Sequence, residues 1–195
     1  MASVMASVMA PVMAPLVALL RGRRLAVLSG AGCSTDSGIP DYRGLNGTLL
    51  RSPPIQYAAF VRSEATRRRY WARSTIGWPR FSRARPNAAH HAIAALSRGG
   101  HLTGLITQNV DSLHRAAGTE HHIELHGRLD TVRCLGCQAT APRRDLQERL
   151  LAHNPAFADL CGSSAEVEAK IHRVEGGLGA RGRHASLAER MAHYH

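Results

Sequence analysis

The residues best suited to chemistry stand in one segment, GAGCSTDSGIPDYR, which runs from Gly30 to Arg43. It follows the apolar run Leu25–Leu28 after a single serine, and that run predicts a short buried strand. A strand that leads into two glycines and then into a helix is how α/β folds bring backbone N–H groups close to a phosphate. The segment therefore predicts a phosphate-binding loop.

The spacing of this loop differs from that of a dinucleotide dehydrogenase. The third glycine of the pattern G-x-G-x-x-G would fall at Thr35. No acid stands about twenty residues beyond the strand, where a dehydrogenase holds the ribose, because the next carboxylate after Asp41 is Glu64. The loop therefore predicts a nicotinamide dinucleotide that is bound for a reaction other than hydride transfer.

Two further polar groups directly follow apolar runs: Gln108, Asn109 and Asp111 in one place, and His126 in the other. Asn and Asp can hydrogen-bond sugar hydroxyls or a carboxamide, and a histidine can accept a proton near neutral pH. Each also has a structural interpretation, as helix-capping residues, an N-terminal helix charge or a strand-end histidine. Their shared position at strand ends, together with the glycine loop, favours the functional interpretation.

The elements that must position these groups alternate between strand and helix. The sequence predicts a helix at 15–20, strands at 25–28, 102–107 and 122–125, and helices within 58–71, 87–96 and 110–117. This alternation predicts an α/β fold with a partial Rossmann-like, doubly wound parallel sheet. About half of such a sheet is visible, and after residue 151 the pattern decays into a tail rich in Gly, His and Arg.

The charge of the chain is concentrated in one stretch. The formal net charge is +11, and nine arginines face the single acid Glu64 between Arg51 and Arg85. Such a block could attract nucleic acid or an acidic partner, but a solvated or locally neutralised face is the more common explanation. No RNA-binding or zinc-finger pattern supports a nucleic-acid partner, so we expect none.

Composition also indicates in which cellular compartment the protein is expected. Four cysteines, of which Cys134 and Cys137 form a C-x-x-C, do not make a secreted disulfide scaffold. Residues 1–15 are a low-complexity Met/Ala/Val leader without a basic signal-peptide region, and they are too short to span a membrane. We therefore expect a cytoplasmic protein without a membrane partner. The single lysine, Lys170, among 25 basic residues is typical of translation from a GC-rich bacterial genome.

As a set, these motifs resemble the sirtuin (Sir2) family of NAD-dependent protein lysine deacylases. GAGCSTDSGIPDYR, TQNVDSLHRAAG and ELHG stand in the family's order and at about its spacing. The segments between them are similar to the class II branch, which includes the sirtuin 4 group. The resemblance runs from Leu16 to about Phe157, and it implies a deacylase that uses NAD and acts on acylated-lysine proteins or peptides.

The resemblance implies a role for each matching position. His126 would be the general base, and Asn109 and Asp111 would complete the catalytic set. The residues implied to bind the cofactor are Gly30, Ala31, Gly32, Ser34, Ile39, Pro40, Asp41, Tyr42, Arg43, Gln108, Asn109, Val110 and Asp111. Cys33 occupies a variable position of the family, and a small packed thiol is its more common role.

Cys134 and Cys137 resemble the first half of the sirtuin zinc ribbon. A structural zinc ion takes four ligands, and no second C-x-x-C follows in this chain. Cys161 together with His153 or His172 could complete an improvised site of three thiolates and one imidazole, but a half-formed zinc module is the preferred interpretation. A redox C-x-x-C is a third possibility, although no thioredoxin pattern surrounds it.

The resemblance divides the chain into a leader (1–15), the first part of an NAD-binding domain (16–128) with an Arg-rich helical insertion (51–86), a partial zinc module (129–160) and a non-matching tail (161–195). The strands that follow the zinc module in the family have no counterpart here. We therefore expect an exposed sheet edge, partly uncovered strands and a chain whose activity is weak or absent. A non-catalytic remnant that binds NAD or ADP-ribose, an ADP-ribosyltransferase and a basic interaction module remain alternatives.

Overall fold

The computed structural model describes residues 13–41 and 54–155. The predicted cofactor residues Tyr42 and Arg43 lie outside these ranges. So do Cys161, His172, most of the leader and the predicted tail.

A three-stranded parallel sheet carries the strand ends that the sequence singled out. Its order is β1 (Leu25–Ser29), β2 (Leu102–Thr107) and β3 (His122–Glu124). The apolar runs of the sequence thus form the predicted strands, and β1 and β3 are the outer strands of this sheet. All three strands run in the same direction, so their carboxyl ends meet at one edge of the sheet.

The strands are buried on one face only. Leu105 is 1% exposed, whereas Leu28 is 68% and Ile123 is 60% exposed. Leu28 pairs with Ile106, and Ile106 pairs with Ile123, so one apolar row crosses all three strands on the open face. This agrees with the expectation that the strands lack part of their cover.

Helices precede and connect these strands. Helix α1 covers residues 13–20, and a 3-10 helix, Ala31–Ser37, follows β1. Helix α4 (Ala88–Arg98) begins at Asn87, whose side chain accepts the N–H groups of Ala89 and His90, and it ends at Gly99. Helix α5 is shorter than the predicted 110–117 and covers Leu113–Ala116, because Ser112 adopts a left-handed φ of 60° just before it.

The Arg-rich stretch forms two helices, α2 (Tyr57–Arg62) and α3 (Glu64–Arg83), within the helical insertion predicted over 51–86, and α3 runs past the helix that was placed within 58–71. Ser63 separates them and caps α3, since its hydroxyl accepts the N–H of Thr66. The chain that follows β3 forms a two-stranded antiparallel hairpin of β4 (Thr131–Arg133) and β5 (Thr140–Pro142). Helix α6 (Arg143–His153) comes directly after it.

These later elements pack on the Arg-rich helices. A buried cluster joins Phe60 and Trp71 to Val132, Leu146 and Leu150. Arg143, only 2% exposed, lies over the rings of Trp71 and Trp78, 5.6 Å and 5.1 Å from their centres. One side of the Arg-rich helices is therefore core, and the remaining charge lies on the other sides. None of the helices described is long and apolar enough to cross a bilayer.

Candidate functional site

The loop after β1 is held in shape by its own backbone. Gly30 precedes the 3-10 helix, and Gly38 ends it with a left-handed φ of 81° while its N–H donates to Thr35. Ile39, 6% exposed, then anchors the loop in the core. A side chain at Gly32 would meet nothing within 4 Å, so the glycine surface faces open space.

Asn109 joins this loop to the end of β2. Its side-chain Nδ2 donates to the carbonyl oxygen of Gly30 (3.0 Å) and to Oγ of Ser34 (3.1 Å). Ser34 in turn donates to Oδ2 of Asp111 at 2.7 Å. Asn109 is 8% and Ser34 1% exposed, so these bonds are shielded from water. Residues 75 positions apart in the chain thus form one network.

Asp111 connects the glycine loop to the start of α5. Its Oδ1 accepts the N–H of Leu113 at 2.9 Å, at the start of α5, as a helix-capping carboxylate does. Its Oδ2 faces the glycine loop through Ser34.

His126 lies beside this network at the end of β3. Its Nδ1 is 3.1 Å from the carbonyl oxygen of Gln108, which can only accept a hydrogen bond. We therefore assign the proton to Nδ1, which leaves a lone pair on Nε2 of an exposed imidazole. The backbone of Val110 holds the next loop, since its carbonyl accepts the N–H of Leu129. The arrangement therefore presents a base, Nε2 of His126, at the open edge of the site.

The structure brings together most of the residues predicted for the site. Gly30, Ala31, Gly32 and Ser34 line the loop, and the residues from Gln108 to Asp111 and His126 stand at the adjoining strand ends. Pro40 and Asp41 are half-buried at the limit of the described chain. Cys134 and Cys137 lie in the hairpin instead.

A second buried layer behind the site had been missed. The hydroxyl of Ser29 donates to Thr107 (2.8 Å) and contacts Nε2 of His114 (2.8 Å). His114 is 2% exposed, and its ring lies 4.7 Å from that of His90. Burial, with the neighbouring His90, lowers the pKa of His114 to about 4. The motif TQNVDSLHRAAG contains His114 and could have drawn attention to it, but the sequence alone does not show that the His114 ring turns inward.

Cys33 faces the same layer from the loop. Burial, followed by the nearby Asp111 carboxylate, raises the pKa of its thiol. A protonated thiol is a poor nucleophile.

The C-x-x-C stands in the turn between β4 and β5. Cys134 donates its N–H to Ala139 (2.8 Å) and accepts that of Gln138 (3.0 Å). Backbone N–H groups of Cys137 and Gly136 lower the pKa of the Cys134 thiol, as suits a thiolate ligand. Among the described residues no third His, Cys, Asp or Glu joins this pair. The pair therefore supplies half of the four ligands that a structural zinc takes and does not by itself fit the ion.

Comparison with curated proteins identifies close relatives. The chain is 59% identical over 145 residues to an NAD-dependent protein deacetylase of Xanthomonas campestris pv. campestris, a match that covers 74% of this chain and 50% of the relative. It is 57% identical over 139 residues to NAD-dependent protein deacetylase 1 of Streptomyces coelicolor, which covers 71% of this chain and 46% of that protein. The chain thus spans about half the length of these relatives.

Solved structures show the same likeness. A complex described as Sir2, a p53 peptide and NAD⁺ superposes with a TM-score of 0.60 at 35% identity, over 71% of this chain and 55% of that one. An ADP-ribose complex of a Sir2 homologue superposes with a TM-score of 0.54 at 38% identity, over 65% of this chain and 51% of that one. The model of the Sir2 family matches residues 30–174, which include the glycine loop and both strand-end groups, and the chain belongs to that family.

Proposed function

We propose that this chain is part of an NAD-dependent protein lysine deacylase of the sirtuin type. Such an enzyme releases nicotinamide and transfers the acyl group of a lysine to ADP-ribose. Two findings support the proposal: membership of the Sir2 family, and relatives named NAD-dependent protein deacetylase. A relative solved with a p53 peptide supports protein or peptide substrates.

The observation that carries this proposal is the side chain of Asn109. Its amide ties Gly30 and Ser34 of the loop to the strand end that also presents Gln108 and Asp111. Loop and strand end are therefore set relative to each other before any ligand binds, which lowers the entropic cost of binding.

The residues present fit a dinucleotide. The glycine surface of the loop is open, because a Cβ at Gly32 would meet nothing within 4 Å and one at Gly30 would meet only Nε2 of Gln108, at 4.0 Å. A diphosphate can therefore approach the backbone amides closely. Asp111 and the exposed side chain of Gln108 stand where sugar hydroxyls or a carboxamide could be hydrogen-bonded. When bound, NAD would supply the sugar carbon from which nicotinamide leaves.

His126 would act as the general base. With Nδ1 donating to the Gln108 carbonyl, the unprotonated Nε2 is available to take a proton from a sugar hydroxyl. The carbonyl also fixes the orientation of the ring, so that the lone pair faces away from the strand.

A second candidate function is binding of NAD or ADP-ribose without turnover. It is favoured by the similarity of the chain to a Sir2 homologue solved in complex with ADP-ribose. The class II assignment, the domain boundaries and the cytoplasmic location remain predictions.

The test is nicotinamide release over many turnovers by the purified chain 1–195, given excess NAD and a pool of acyl-lysine peptides, because each further turnover requires that the acyl transfer served by the base be completed. We expect peptide-dependent release that falls by about 10²–10⁴-fold in His126→Ala, the usual contribution of a general base. His121→Ala is the matched control, because His121 is an exposed histidine that directly precedes β3, at the opposite end of the strand from His126.

Equal release by both variants would contradict the role of His126. If no variant releases nicotinamide, titration with ADP-ribose decides between the two candidates. Binding that weakens in Asn109→Ala would support the non-catalytic candidate, and absence of binding would exclude both.

A further inference from the structure

Three potential metal ligands meet behind the glycine loop. Cys33 comes from the 3-10 helix, His90 from α4 and His114 from α5. One ligand atom of each lies within 4.8 Å of the others, and Sγ of Cys33 is 4.0 Å from Nε2 of His90. Both histidines are buried, at 0% and 2% exposed. The cluster is distinct from the hairpin cysteines and has no role in the proposed reaction.

The hydrogen bonds of His90 leave its Nε2 free to bind a cation. Asn87 donates from Nδ2 to the carbonyl of Cys33 (2.8 Å), and its Oδ1 accepts the N–H of Ala89 (3.0 Å). Oδ1 is thereby fixed as an acceptor, and it lies 2.9 Å from Nδ1 of His90. The backbone N–H of Asn87 also points to Nδ1 but is farther away, at 3.3 Å, so the shorter contact decides the tautomer. We therefore assign the ring proton to Nδ1, so the lone pair of Nε2 faces the Cys33 sulfur.

His114 has a matching arrangement. The hydroxyl proton of Ser29 goes to Thr107, so Ser29 accepts from Nε2–H of His114. The lone pair then remains on Nδ1, which is buried and has no hydrogen-bond partner among the described residues. A buried acceptor without a partner destabilises the fold, and a bound cation would remove that cost.

These partners are the kind that metal-binding histidines have. A ligating imidazole usually donates its other N–H to an oxygen that fixes the tautomer and the ring. Asn87 does so for His90, and Ser29 does so for His114. The carboxylate of Asp111 is close enough to act on the charges of all three groups, and it would partly balance a divalent cation.

We propose that Cys33, His90 and His114 form a binding site for Zn²⁺. One sulfur and two imidazole nitrogens are donors that zinc prefers, and water would complete a tetrahedral set. Ideal Zn–S and Zn–N bonds place sulfur and nitrogen about 3.6 Å apart, so Cys33 and His90 need to close by only a few tenths of an ångström. The ion would tie the glycine loop to α4 and α5 and so restrict its movement.

Thiol alkylation tests the site in the unaltered chain 1–195. N-ethylmaleimide labelling is followed for each cysteine by peptide mass spectrometry, with Zn²⁺ or with EDTA. A metal-bound thiolate is blocked from alkylation, so Zn²⁺ should slow labelling of Cys33 by at least about tenfold. Labelling of Cys33 at the same rate with and without Zn²⁺ would overturn the proposal, whatever happens at Cys134 and Cys137.

A histidine pair provides the matched variants. His114→Asn should abolish the protection of Cys33, whereas His121→Asn, which alters an exposed histidine nearby, should keep it. Equal protection in both variants would contradict a role for His114.

Co²⁺ in place of Zn²⁺ gives a readout that depends on no histidine variant. The charge-transfer absorption of a cobalt–thiolate bond should decrease in Cys33→Ser relative to the unaltered chain. An unchanged band would remove Cys33 from the ligand set. Neither measurement depends on NAD turnover, so failure here leaves the proposed deacylase function untouched.

Discussion

The molecule gathers reactive side chains in two ways, at the strand ends of the parallel sheet and in the β4–β5 hairpin. At the strand ends, Asn109 and Ser34 are buried and bonded to each other across 75 positions of the chain. In the hairpin, Cys134 and Cys137 are three positions apart, and Cys137 is exposed. The first group is organised by packing of the sheet and its helices, and the second by a single turn.

This difference shows that a motif can be easy to recognise in the sequence without forming a complete site in the structure. The C-x-x-C is the more obvious pattern, yet among the described residues it supplies half of a zinc site. The strand-end residues are individually ordinary, but the fold completes a network from them. Four predictions test this comparison.

The largest effect should come from the core that supports the hairpin. Trp71→Ala removes a ring that is 5% exposed and packs edge-on against Phe60 and Tyr70. We expect the free energy of unfolding, measured with urea, to fall by about 3–5 kcal/mol. A loss below about 1 kcal/mol would show that the hairpin does not depend on the Arg-rich helices. Tyr57→Ala, at a side chain that is 58% exposed, is the control.

Acid should weaken the layer behind the strand ends. The pKa of His114 is about 4 when folded and about 6.5 when unfolded, so the unfolded chain binds the extra proton between these pH values. Stability should therefore fall as the pH drops from 6.5 to 4, by up to about 3 kcal/mol from this group. Below pH 4 the group contributes nothing further.

Urea unfolding in EDTA at pH 7 and pH 5 measures this effect. His114→Gln should show a flatter pH dependence than the unaltered chain. His121→Gln should leave the dependence unchanged, and equal slopes in all three would contradict the assignment to His114.

Breaking the strand-end network at Ser34 should have an intermediate effect. Ser34→Ala leaves the part-buried Oδ2 of Asp111 and the buried Nδ2 of Asn109 each short of one hydrogen bond. We expect a loss of about 2 kcal/mol in unfolding free energy. Thr35→Ala, which removes an exposed bond to Gly32, should cost less than about 0.5 kcal/mol. Similar losses would mean that the network adds little to stability.

The smallest effect should come from the hairpin thiols. Changing Cys134 and Cys137 together to Ser should alter the unfolding free energy by less than about 0.5 kcal/mol in EDTA. The zinc-dependent rise in stability should differ by less than about 1 kcal/mol between this variant and the unaltered chain. If zinc stabilises the unaltered chain by more than this and does not stabilise the variant, the pair must bind zinc together with ligands from outside the described residues, such as Cys161.

Much of the fold follows from the sequence. The runs at 25–28, 102–107 and 122–125 predicted the three strands because apolar and β-branched residues cluster there, and Asn87 with Gly99 marked the limits of α4. The short α5 and the extension of α3 to Arg83 were not predicted. They depend on a left-handed backbone at Ser112 and on packing of α3 against α6, and neither leaves a periodic pattern in the sequence.

The candidate site divides in the same way. The residue types and their order determined which side chains stand after each strand, because parallel strands place their carboxyl ends at one edge. Only the tertiary structure decided that Asn109 reaches Gly30 and Ser34, that His126 faces the Gln108 carbonyl, and that Cys33 meets two buried histidines. Contacts between side chains so far apart in the chain depend on how the helices pack around the sheet, and that packing is a property of the whole fold rather than of any segment.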